Sequence, residues 1–360
     1  MRNLRPLATI GALSVAMIAM TGCASDSGGG SGSAEAGDDK LVIASWGGAF
    51  TEATRTNLAE PFQEETGIQV EIIDVPGTQV TQMQQMVDAD DVQWDIMDSL
   101  GAADAFYMYQ EGLIQELPAE LSTSLTETLG EEKMSEFGFT FANLGYVIAC
   151  NNASGQECPD SLEGFFDPAA FPGNREIPGE YYSQLAAALV AASGQDTMSE
   201  DIDLGAALAQ LEQVEPATTV WYTSGDQQEQ VLRQGEADFG LIYSGRAYNL
   251  VDEGLDITVN WSGVYDPGYT AIATGAPNQA AAEQFMQWVA ENPEAQAGFA
   301  EDMSYGVPNA EALEVMPQEA AERLADYPAN FEQLVQQNFT WYLANKEAVD
   351  TGIRNVVQGG

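Results

Sequence analysis

The chain has 360 residues, with 56 acidic side chains, 11 basic ones, no histidine and a formal net charge of -45. That balance disfavours a nucleic-acid surface, which needs clustered Lys or Arg, and electrostatic docking on anionic lipid. The missing imidazole removes the Ser/His/Asp triad, the HExxH zinc site and histidine-ligated haem. With 45% hydrophobic residues the chain can fold despite its charge, and its length favours two lobes over one core.

The N-terminus reads as an export signal. Arg2 and Arg5 precede an apolar run from Leu7 to Met20, too short for a typical membrane span. Met20-Thr21-Gly22-Cys23 resembles a bacterial lipobox, with Met where Leu is usual. That resemblance implies a signal peptide over 1–22 and lipidation of Cys23, the first residue of the mature chain. The alternative is an ordinary secretion signal ending near a cysteine. Residues 23–39 are small and acidic after Cys23 and read as a flexible tether. Removing 1–22 leaves 9 basic residues against 56 acidic ones.

Lys40–Ala44 reads as a strand ending at Ser45-Trp46-Gly47-Gly48, followed by a helix over 52–65 that Thr66-Gly67 stops. A strand over Gln69–Val75, a helix over Gln79–Val87 and a short strand over Asp95–Met97 complete a strand–helix alternation. That alternation predicts a parallel sheet with helical crossovers, whose ligands sit beyond the carboxyl ends of strands, where Trp46 and Ser99 fall. Gly138–Cys150 reads as extended chain passing between lobes. Cys150 and Cys158 flank a polar loop in an oxidising compartment, so a disulfide is expected, with two free thiols as the alternative. Two thiols without histidine do not make a zinc site. Helices follow over Tyr181–Ala192, Gly205–Val214 and Asp226–Gln234. Strands are expected over Thr219–Tyr222, Asp238–Tyr243, 257–261 and 269–274, then helices over Ala280–Asn292 and Asn330–Asn345. No GxGxxG, P-loop or EF-hand pattern is present, so no cofactor or metal is expected.

Four segments, in this order and spacing, resemble the spermidine/putrescine-type branch of the solute-binding proteins that serve ABC importers, within the type II periplasmic-binding-protein superfamily. They are Ser45–Gly48 with its helix, and Trp94–Met97 with Ser99. The third runs from Trp221–Gly225 through Gly235–Asp238 to Tyr243–Tyr248, and the fourth joins Ala273–Ala281 to Ser304–Asn309. The resemblance spans 40–345. It implies an α/β fold of two lobes with a ligand cleft between them: 40–145 in lobe 1, 146–262 in lobe 2, and 263–360 returning to lobe 1 with the C-terminal helices. It also implies a monomeric, lipid-anchored receptor on the outer side of the cell membrane, or in the periplasm, that delivers a small solute to an ABC permease and its ATPase and catalyses nothing.

A polyammonium solute needs carboxylates at its ends and aromatic faces along its stem, because buried cations must be paired. Trp46, Trp221, Tyr222, Tyr243, Trp261 and Tyr305 lie in or beside the cleft segments, with Tyr248, and Asp98, Asp226, Glu229 and Asp266 are nearby acids. Gly47 and Gly48 offer backbone N–H groups to a ligand carboxylate or serve only as turn glycines, and Ser99 falls in a first-lobe cleft segment. Arg246 resists a simple polyamine reading. A guanidinium in the cleft clamps a carboxylate bidentately, which suits a carboxylated amine, an amino acid derivative or an opine-like solute. Against that stands pairing of Arg246 with Asp252 or Glu253. An alternative of another class is a glycoside hydrolase working through paired carboxylates, though no specific acid pair stands out.

Overall fold

The computed structural model describes residues 40–179 and 183–359. The signal, tether and Cys23 lie outside the described residues. So do Tyr181 and Tyr182 at the start of one expected helix, and the side chain of Asp226.

Strands β1 (Lys40–Ser45), β2 (Gln69–Asp74), β3 (Ile96–Gly101) and β4 (Gly138–Thr140) belong to the first lobe. The second lobe takes β5 (Leu144–Asn151), β6 (Arg175–Pro178), β7 (Thr218–Tyr222), β8 (Phe239–Tyr243) and β9 (Ile257–Asp266). The chain then returns as β10 (Gly268–Ile272) and crosses again to the short β11 (Leu334–Val335). The sheet orders are β2-β1-β3-β10-β4 and β11-β9-β5-β8-β6-β7.

The first three strands pair in parallel, as the strand–helix alternation requires. Both sheets are mixed, however, because β10 runs antiparallel to β3 and β4 and β5 antiparallel to β8 and β9. The alternation could not show this: an antiparallel partner arrives from a distant part of the chain and leaves no local period. Helices cover both sheets. The helical run from Gly48 to Thr66, with one wide turn at Arg55–Ala59, packs Leu58 and Phe62 into the first core, where Phe62 meets Phe285 and Trp288 edge-on at 5.2 and 5.8 Å. Leu185, Leu189 and Val190 of the helix Ser183–Ala192 fill the second core.

The lobe boundaries differ from the expected ones. Strand β9 continues to Asp266, five residues past the expected end of that strand, so the chain returns to lobe 1 at Pro267 rather than at 263. It does not stay there. After Leu324 it passes back to the second lobe, and the C-terminal helix begins at Phe339 and runs to Val357, not over 330–345. That helix buries Tyr342, Val349 and Ile353 in the second lobe's core while Phe339 at its start enters the first lobe beside Phe106, ring centroids 5.0 Å apart. Cys150 and Cys158 form the disulfide, with Cα atoms 5.7 Å apart.

Candidate functional site

A cleft of about 1240 Å³ opens where the two sheets face each other. It lies beyond the carboxyl ends of β1, β3 and β8, as expected for sheets built this way. Trp46, Ser99, Tyr243, Arg246, Asp266 and Tyr305 all line it. Six positions separated by up to 259 residues in sequence are thus brought to one cavity.

The first-lobe wall is tied together by hydrogen bonds. The Trp46 indole Nε1 donates to the Ser99 carbonyl at 2.8 Å. Ser99 itself has φ 47°, an uncommon conformation for a side-chain-bearing residue. Its hydroxyl lies 3.3 Å from Asp98 and 3.3 Å from the Phe141 carbonyl. Asp98 sits buried behind this wall, where burial pushes its carboxyl up to about 6 against the hydroxyls of Ser45, Ser99 and Thr54, which pull it down. Phe50 and Tyr305 add aromatic surface, ring centroids 6.4 Å apart. Burial also raises the Tyr305 phenol, opposed by the nearby positive charge of Arg246.

Asp266 ends β9 at the crossing between lobes. It is 9% exposed, and burial pushes its carboxyl up to about 6 although Gln184, Gln337 and Tyr243 hydrogen-bond to it. A carboxylate held dry and polarised by neutral donors is suited to an incoming cation, which supplies the charge that burial has made costly to lack.

Arg246 sits in the first turn of the helix Ser244–Asp252, just past the end of β8. Its Nη1 donates to Glu229 Oε1 at 3.1 Å, an acid on the preceding helix rather than Asp252 or Glu253. Asp252 pairs with Arg323 and Glu253 with Arg233, both at 2.7 Å. Burial would raise the Glu229 carboxyl, but hydrogen bonds from Asn249, Arg246 and Arg233 together hold it below its usual range.

The other expected residues do not line the cleft. Tyr222 is 1% exposed and buries its hydroxyl against Tyr146, 2.8 Å away, and the Leu241 carbonyl at 2.7 Å. Trp221 packs partly buried against the second lobe's core. Trp261 is buried, with Nε1 3.3 Å from the Tyr248 hydroxyl, its ring against Gly145. Gly47 and Gly48 have φ 83° and 59° and open the helix that starts at Gly48, so they serve the turn. All of these sit on strands or turns where aromatic and glycine residues are equally at home in a core, and local sequence does not say which sheet face looks at the cleft.

Sequence reasoning missed one end of the cavity. Asp104 and Tyr107, from the helix Ala102–Gln110, and Tyr342 and Lys346, from the C-terminal helix, line it from opposite lobes. The first pair follows directly on β3, so the rule about strand ends could have found it. Nothing local marks the second pair. Among the described residues no cluster of acidic or cysteine side chains could hold a metal ion, and no helix is long and apolar enough to cross a membrane.

Comparison with known proteins gives this cavity its context. Residues 57–332 match the family described as bacterial extracellular solute-binding protein. A gamma-aminobutyric acid-binding protein of Pseudomonas aeruginosa is 29% identical over 309 residues, covering 83% of this chain and 85% of its own. The solved structure of a GABA receptor superposes with TM-score 0.77 at 25% identity, covering 89% of this chain and 98% of the other. That of AgtB from A. tumefaciens R10 in complex with agropinic acid superposes with TM-score 0.66 at 25% identity, covering 89% and 98%.

Proposed function

Because the chain belongs to the bacterial extracellular solute-binding proteins, we propose that it is the receptor of an ABC importer for a small carboxylated amine. Arg246 meets the carboxylate and Asp266 the ammonium group. The observation that carries this reading is the presence of both charges, of opposite sign, on one aromatic-walled cavity. The relatives named for gamma-aminobutyric acid and agropinic acid favour the same ligand class.

A polyamine, the first expectation from sequence, is the weaker reading. It would bring several like charges toward Arg246, which repels them, whereas a zwitterion uses both side chains. The family is one of binding proteins, so the chain is not an enzyme and the glycoside-hydrolase alternative is set aside. The same proposal includes delivery to a membrane permease and its ATPase, a lipid anchor at Cys23, and a monomeric state.

Titration calorimetry with gamma-aminobutyrate, its amide, butyrate and putrescine tests the reading on wild type and on Arg246→Ala. Gamma-aminobutyrate should bind best in wild type. Removing Arg246 should cost it about 2–4 kcal/mol, roughly 30-fold or more in Kd, and leave putrescine unaffected or improved. Putrescine binding tighter than gamma-aminobutyrate in wild type would sink the proposal.

A further inference from the structure

Three segments cross between the lobes among the described residues, and all three meet at one carboxylate. The first crossing joins β4 to β5 through residues 141–143. The second joins β9 to β10 through Pro267. The third runs from Leu324 to β11, with Leu324 and Tyr327 packing on the first lobe's core and Ala325 and Phe331 on the second's.

Asp326 stands on the third crossing. Its Oδ2 accepts from Asn143 Nδ2 at 2.8 Å, on the first crossing. Its Oδ1 accepts from the Tyr265 hydroxyl at 2.8 Å, at the end of β9 just before the second crossing. The same oxygen accepts from Lys133 Nζ at 2.6 Å, from the first lobe. Every member is buried: Lys133 6%, Asn143 1%, Tyr265 2% and Asp326 9% exposed. The Lys133 ammonium also lies 4.1 Å from the centre of the Phe331 ring, and that ring meets Tyr265 edge-on at 4.9 Å. Gly306, which exchanges backbone hydrogen bonds with Asn143 at 2.8 Å, has no room for a side chain: a Cβ there would fall 2.1 Å from Asp326 Oδ2.

No member of this group lines the cleft. Its position suits control of lobe motion instead. Rotating one lobe against the other moves the crossings relative to one another, and a buried ion pair with fixed hydrogen-bond partners tolerates such movement poorly. Where two lobe arrangements differ by only a few kcal/mol, any contact that changes in the rotation shifts their populations and, through them, the apparent solute affinity.

We propose that Asp326 is the pivot of lobe closure, and that its bonds to Asn143, Tyr265 and Lys133 set the open–closed balance without touching the solute. The inference rests on the receptor reading only in taking lobe closure as the relevant motion. Tyr265→Phe removes the phenol's hydrogen bond to Asp326 and leaves the buried ion pair whole, so it is the primary variant. The paired change Lys133→Met with Asp326→Asn removes both charges together and avoids stranding either one.

The readout is the distribution of interlobe distances, measured by double electron–electron resonance between labels at exposed Thr123 and Glu163 in ligand-free protein. Gamma-aminobutyrate titration follows on the same variants. The pivot predicts a shifted or broadened distribution in both variants, with a change of about fivefold or more in Kd wherever binding is measurable. Distributions that superimpose on wild type, with only a loss of thermal stability, overturn it and leave the group a structural one. Because the distances need no ligand, they decide the pivot even if gamma-aminobutyrate fails to bind. That failure, or an inert Arg246→Ala, would count against the proposed solute alone.

Discussion

Glu176 offers the sharpest test of the physical reasoning. It lies inside β6, between β7 and β8, and is 0% exposed. Among the described residues neither of its carboxyl oxygens meets a hydrogen-bond donor. Its neighbour on β8 is Gly240, where a Cβ would fall 2.8 Å from Glu176 Oε1, so the glycine makes the room that the carboxyl occupies. With no cation or donor to offset it, burial pushes the Glu176 carboxyl from 4.5 up to about 9.

The native state therefore keeps a proton that the unfolded state releases. Folding stability falls as pH rises between those two values, is unaffected by this group below the lower one, and levels off above the higher. At about 1.36 kcal/mol per pH unit, the penalty is about 3 kcal/mol at pH 7 and about 5 kcal/mol at pH 8. Glu176→Gln keeps the shape and removes the titration. Urea unfolding followed by circular dichroism from pH 5 to 8 should show the variant gaining on wild type by about one proton's worth per pH unit. Near pH 4.5 the two should be about equal in stability. Parallel stability curves across the whole range would refute the argument, since they would mean that the carboxyl ionises in the native state or finds a partner.

The same linkage applies in the cleft with a different readout. If the Asp266 carboxylate receives an ammonium group, affinity for gamma-aminobutyrate should fall as pH drops through about 6, approaching tenfold per unit below it. Asp266→Asn should flatten that profile, as calorimetry at pH 5, 6 and 7 would reveal. Replacing Cys150 and Cys158 together by Ser opens a short loop, eight positions from end to end, and should cost about 2–3 kcal/mol by loop entropy, read as a lower calorimetric transition. Solute affinity should not change, because Cys150 is six residues along β5 from the cleft-lining Leu144, about 20 Å of extended chain.

Much of this protein was legible from local pattern. Lys40–Ser45 and Phe239–Tyr243 are apolar runs and Gln69–Asp74 a largely alternating one, and all three are strands within a residue or so of expectation. The aromatic stretch 138–150 does pass from one lobe to the other. Trp46, Ser99, Tyr243, Arg246 and Asp266 reach one cavity because each lies near or just past the carboxyl end of a strand, and Tyr305 joins them from the turn after the helix Pro293–Met303.

What stayed hidden depends on neighbours distant in sequence. Trp261 and Tyr222 sit on strands as suitable for a cleft as those of Tyr243 and Asp266, yet sheet stacking turns them into cores. Arg246 meets Glu229, seventeen residues away on the preceding helix, and not the acids of its own helix end, which pair with Arg323 and Arg233. Lys346 and Asp104 share the cavity only because the C-terminal helix returns to bridge the lobes. The sequence by itself determined where most strands and helices lie and which strand ends carry charged and aromatic side chains, since periodicity and turn residues act over a few positions. Only the tertiary structure decided which charges meet, because pairing and burial are set by packing between segments that carry no local record of one another.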